Sequence, residues 1–152
     1  MNGGTVRTER LRKKIERVTM QSQSKNARVH AHKVASPNTH WNSQQLLERL
    51  DNDRAFLSEL LSIFRQDSQT ALQEAKESLA KADLAAVERK AHTLKGITRN
   101  LLMHRAAQTA SGLEAAARER NAVESTALLA QLEQTLQELM PEVDALMLEI
   151  KR

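Results

Sequence analysis

The chain is expected to be all-α, an antiparallel up-down four-helix bundle with a short extra N-terminal helix. Three observations predict this. Apolar residues recur every three or four positions through most of residues 41–152, the spacing of one helix face. No stretch alternates apolar and polar residues as a half-buried strand does, and no repeat of solenoid length is visible. Aromatic residues make up 2% of the chain against 40% hydrophobic, so the core must be built from Leu and Ala, both good helix formers. Short connections between long helices then require antiparallel neighbours.

The elements follow in order. Trp41-Asn42-Ser43 reads as a helix entry, with Leu46, Leu47 and Leu50 behind it. This short helix is expected to lie across one end of the bundle. A second helix starts at Asp51 or Asp53, either of which can serve as N-cap. Its apolar side is Phe56, Leu57, Leu60, Phe64, Ala71, Ala75 and Leu79. Asp83 caps the third helix, whose seam is Leu84, Val87, Ala91, Leu94 and Leu101 and which ends near Asn100. A fourth runs from about His104 to Arg120, with Ala106, Thr109, Leu113 and Ala116 inward. The last carries Leu129, Leu132, Leu136, Leu139, Val143, Leu146 and Ile150. Pro141 falls inside it and is expected to kink or split it near Met140.

Residues 1–40 stand apart as a basic leader and flexible linker. They carry nine Lys or Arg against two Glu, while residues 41–152 carry fourteen against seventeen Asp or Glu. The formal charge of +4 is therefore a property of the leader, not of the body. Thr5–Met20 places Leu11, Ile15 and Val18 at helical spacing amid charge; Gln21–Asn38 is polar and without periodicity. No aromatics are interleaved for base stacking, so no nucleic-acid partner is expected. His30 and His32 have no third ligand nearby, and no metal site is expected.

The rest of the composition narrows the function classes. There is no Cys, which removes disulfide and thiolate chemistry. No apolar run approaches the roughly 20 residues of a membrane span, and no signal-peptide block opens the chain, so a cytoplasmic location without membrane contact is expected. The glycines are Gly3, Gly4, Gly96 and Gly112. None forms a phosphate-cradling loop, so the chain is not expected to bind ATP or to act as an enzyme by itself.

The chemistry concentrates in Ala91-His92-Thr93-Leu94-Lys95-Gly96-Ile97. His92 lies one residue past the buried seam, turned about 100° away from it. Glu88, Lys95, Gly96 and Arg99 lie three, four or seven residues from His92 and share its strip. A helical glycine costs about 1 kcal/mol relative to alanine, so Gly96 needs a reason; a bare backbone lets another molecule come close. Lys95 puts a compact positive charge one turn from the imidazole, suited to anionic oxygens. A neutral imidazole beside that charge and that gap can accept a phosphoryl group. Register adds a partner. His92 is eleven residues before Met103 and Glu114 eleven after it, so a hairpin turning near Leu102-Met103-His104 puts the two at one height. A carboxylate on one ring nitrogen fixes the tautomer and leaves the other nitrogen free to attack.

The block Ala91-His92-Thr93-Leu94-Lys95-Gly96, with Asn100-Leu101 and Leu113-Glu114 after it, resembles the histidine-containing phosphotransfer (HPt) domain of bacterial phosphorelays. The resemblance covers about residues 41–150. It implies a four-helix bundle whose exposed histidine takes a phosphoryl group from a receiver-domain aspartate and passes it on. By position, His92 matches the phosphorylated histidine, Lys95 the lysine that steadies phosphoryl oxygens, and Gly96 the small residue that admits the receiver. Glu114 matches the group that holds the ring; Arg99 and Glu88 fall on the docking face. The implied partners are response-regulator receiver domains, with Mg²⁺ supplied by the receiver and no cofactor on this chain. A monomer is expected. The leader is similar to the tail of a receiver domain plus a linker, as upstream of HPt modules in hybrid sensor kinases. Leu102 stands where the family usually has glycine, so a turn of different shape or width is expected there. Thr98 and Arg99, two and three residues past Gly96, bear on which receiver fits. The alternative is a helical adaptor that binds a partner through the same face without chemistry.

Overall fold

A computed structural model describes residues 41–151 of the chain. The leader expected over residues 1–40, with its basic segment and the His30–His32 pair, lies outside the described residues. Five helices follow one another: α1 (Ser43–Arg49), α2 (Arg54–Ala80), α3 (Leu84–Asn100), α4 (His104–Arg118) and α5 (Ala122–Lys151). No strand occurs among the described residues. Each long helix packs on the next, and α5 closes back on α2. Ion pairs mark the directions. Arg65 meets Asp144 and Lys76 meets Glu133, so numbers rise along α2 as they fall along α5. Such exposed pairs report register more than stability, at about 0–1 kcal/mol each.

The core takes most of the apolar positions expected for each helix. Leu61, not expected there, is buried too, while Leu79, Leu84, Leu146 and Ile150 are only partly covered. Leu57, Phe64, Leu94, Leu113, Leu132 and Leu139 are fully buried. Buried alanines separate them: Ala91 on α3, and Ala106, Ala110 and Ala117 on α4. Small residues at an interface let two helix axes approach, and α3 and α4 are the most extensively paired helices of the bundle. That closeness lets medium-length side chains on the two helices meet.

Every described helix except α4 starts with a side-chain cap, at Asp53 and Asp83 as the sequence suggests. Asn42, Asp53, Asp83 and Asn121 each accept a hydrogen bond from the backbone N–H three residues on, at 2.9–3.1 Å; such a cap contributes about 1 kcal/mol. Of the two starts considered for α2, Asp53 is the cap. Trp41 is buried, and its indole N–H donates to the Leu101 carbonyl at 2.8 Å. This bond fixes the entry of α1 to the end of the bundle where α3 turns into α4.

Three differences from the sequence expectation have physical causes. First, Pro141 does not split α5, which stays helical from Ala122 to Lys151. Pro141 and Gln137, whose carbonyl loses its N–H partner, both face solvent, so water can satisfy that carbonyl while Leu139 and Val143 stay in the core. Second, α4 ends at Arg118, because Arg120 takes a left-handed φ of 62°. Third, Leu102 carries its turn without a glycine. It adopts φ 60° itself, the conformation a glycine would supply. Met103 N–H bonds to Thr98 O and Leu102 N–H to Arg99 O, the paired bonds of a Schellman helix end. The same pair of bonds closes α2 around Ala82 and α4 around Arg120. Leu102 offsets the strain by burying its side chain, which is only 4% exposed.

The left-handed conformation costs an ordinary residue about 1–2 kcal/mol, and Ala82 is exposed at φ 58°. Ala82→Gly should therefore stabilise the protein by about 0.5–1 kcal/mol. Leu102→Gly, at a matching φ, should destabilise it by about 1–3 kcal/mol, since the lost burial outweighs the relieved strain. Opposite shifts of the urea midpoint check the pair.

Candidate functional site

The site sits midway along the paired helices. His92 projects from α3 one residue past the buried Ala91, and its side chain is 68% exposed. Opposite it on α4, Glu114 follows the buried Leu113, and its side chain is only 9% exposed. The register expected from the sequence is realised: His92 Nδ1 and Glu114 Oε2 are 2.8 Å apart.

A buried carboxylate must be paired to stay charged, and Glu114 has three donors. Lys95 Nζ lies 2.7 Å from Oε1. His92 and Arg118 share Oε2, with Arg118 Nη2 at 3.2 Å. The Lys95 hydrogen bond is the largest influence and holds Glu114 below the usual carboxylate range; burial opposes it, and the His92 hydrogen bond adds to the lowering. The pairing thus stabilises the fold above the ordinary carboxylate range, and that stabilisation is lost as pH falls through the depressed value.

An ionised carboxylate can only accept. The shared hydrogen of the neutral imidazole must then sit on Nδ1, and the Nε2 lone pair is left unprotonated on the exposed edge of the ring. That is the arrangement of a nucleophile rather than of a buried structural histidine.

The neighbours of His92 divide into two groups. Gly96 leaves a gap: a Cβ placed there would meet nothing within 4 Å. No packing against the rest of the bundle requires the glycine, and its φ is not positive. Arg99 is exposed in the last turn of α3. Lys95 and Glu88 turn inward. Lys95, expected on the open strip, has a side chain only 21% exposed and lies against Glu114. Glu88 Oε2 accepts from Arg118 Nε at 2.9 Å.

Sequence reasoning missed Arg118, although the signal was present. Glu88 and Arg118 are each fifteen residues from Met103, so the equal-height argument that pairs His92 with Glu114 pairs these two as well. Arg118 also stands four residues after Glu114, within reach on one helix face. Among the described residues, no group of three or more His, Asp or Glu side chains is arranged to hold a metal ion. No described helix is long and apolar enough to cross a membrane.

No curated protein and no solved structure matches the chain. The sequence pattern of the Hpt domain matches residues 59–142, more than half of the chain, and spans all of the residues just described. With an exposed imidazole oriented at mid-bundle inside that span, the chain belongs to the Hpt domain family, the phosphocarriers of two-component phosphorelays that interact with receiver domains.

Proposed function

We propose that His92 accepts a phosphoryl group from the aspartyl phosphate of a receiver domain and passes it to another receiver or back. The observation that carries this reading is the pairing of a 68% exposed imidazole with a 9% exposed carboxylate at 2.8 Å. In the step, the Nε2 lone pair attacks phosphorus. The N–P bond forms as the P–O bond to the aspartate breaks, and the aspartate leaves as a carboxylate. The proton on Nδ1 stays in place, so the ring gains positive charge, which Glu114 lies 2.8 Å away to balance. A preorganised charge of this kind lowers the barrier without reorganising at the moment of reaction.

The other roles follow from position. Lys95 steadies the phosphoryl oxygens, its ammonium being one turn from the ring. Gly96 admits the receiver, and Arg99 extends the docking face. Mg²⁺ belongs to the receiver, so no cofactor is assigned to this chain. The domain acts as a monomer, and the leader of residues 1–40 joins it to a receiver within a hybrid sensor kinase. An adaptor without chemistry would have no use for an oriented lone pair.

Incubation with a phosphorylated cognate receiver and Mg²⁺ should add one acid-labile phosphoryl group, and His92→Gln should abolish it; labelling that survives the change would reject the site. Glu114→Ala should slow transfer roughly tenfold or more, as loss of a ring-orienting partner does, while the circular dichroism spectrum stays helical. A rate equal to the parent's would remove Glu114 from the mechanism. Gly96→Leu should raise thermal stability, by about 1 kcal/mol on helix propensity, yet block transfer because the side chain fills the gap. Full transfer by this more stable protein would show that the gap does not serve the receiver.

A further inference from the structure

Glu114 is bracketed by two cations, and the proposed transfer uses only one of them. Lys95 Nζ sits on Oε1 of the carboxylate whose other oxygen, Oε2, faces Nδ1. The phosphoryl group arrives on Nε2, across the ring. A lysine that turns toward phosphoryl oxygens must loosen its hold on Oε1, because one compact ammonium cannot stay centred on both. Without a further donor, a largely buried carboxylate would at that moment be left with the imidazole N–H alone. A carboxylate so underpaired turns toward another donor, and the ring loses its orientation with it.

Arg118 stands on the other side. Its Nη2 donates to Oε2, the same oxygen that receives the His92 hydrogen. Its Nε donates to Glu88 on α3. One planar guanidinium thus spans both helices through two different nitrogens, a geometry that an arginine fork provides and a lysine does not. Glu88 fixes where the guanidinium points, Arg118 fixes Oε2, and Oε2 fixes Nδ1. Lys95 takes no part in that sequence of contacts.

We propose that Arg118 is a positioning residue for His92, held in place by Glu88, which keeps Glu114 aimed at Nδ1 while Lys95 engages the phosphoryl group. This rests on His92 being the acceptor. It gives Glu88 an internal role as the anchor of Arg118, in place of one on the docking face. Arg118 itself is 61% exposed, so replacing it does not open the core.

The test uses the full chain carrying Arg118→Gln, Arg118→Lys or Glu88→Gln. The first measurement needs no phosphate: the ¹⁵N chemical shifts of the His92 ring report its tautomer. The parent should show the Nδ1–H form. Arg118→Gln should populate the Nε2–H form and slow transfer from a phosphorylated receiver by roughly tenfold, the usual scale for an outer partner of a reacting group. Glu88→Gln should move both readouts in the same direction by less. Arg118→Lys, which restores a cation four residues from Glu114 but not the fork, should recover part of the rate. A merely structural arginine would shift the melting temperature and leave the tautomer alone. Parental tautomer and rate in Arg118→Gln would overturn the proposal while leaving the acceptor assignment intact, provided that His92→Gln still abolishes labelling. Labelling that survives His92→Gln would overturn both.

Discussion

The arrangement depends on keeping one carboxylate charged inside a helix interface. Glu114 is nearly buried, and a lone charge there would neutralise itself or draw in water. Three donors prevent this, and each comes from an element set by packing. Lys95 and His92 are one turn apart on α3, and Arg118 is one turn on from Glu114 along α4. The extensive pairing of α3 with α4, helices rich in buried alanine, brings the four side chains together. The turn at Leu101-Leu102-Met103 fixes the register that puts them at one height. A slip of one residue in that hairpin would carry Glu114 about 100° around its helix and leave the imidazole without a partner.

The imidazole is thereby given an orientation at the expense of little else. The ring stays mostly in solvent, where a partner can reach it, while the group that orients it stays out of solvent, where its charge acts at full strength. Gly96 completes the division by leaving the approach open on one side. The core beneath has no special chemistry. Its aliphatic seams hold α3 and α4 rigidly in relation to each other, and a site built on two packed helices is positioned more precisely than one on loops.

Much of this was legible from periodicity, because burial in a bundle follows the 3.6-residue repeat closely. Counting outward from Met103 located the His92–Glu114 pair for the same reason: two straight antiparallel helices translate sequence offset into height. The features that escaped were those that periodicity does not encode. Leu102 carries no signature of a left-handed φ; its conformation is paid for by burial, which only the assembled core reveals. Pro141 predicts a break on propensity, yet the carbonyl it orphans faces solvent, so the helix tolerates it. Lys95 shares the strip of His92 by spacing, but its flexible four-carbon stem turns inward to an acceptor on another helix, Glu114. Arg118 is exposed and lies off the apolar seam, so periodicity does not mark it; only its offset from Met103, equal to that of Glu88, points to it.

The three connections among the long helices are each three residues long and end their helices in the same way. Connections so short leave no segment, among the described residues, that could fold over the imidazole. A group carried at His92 would stay open to bulk water for as long as it is held. Its lifetime would then depend on the intrinsic hydrolysis of the phosphorus–nitrogen bond and on the charges nearest the ring, and none of the described residues would shelter it before a partner docks.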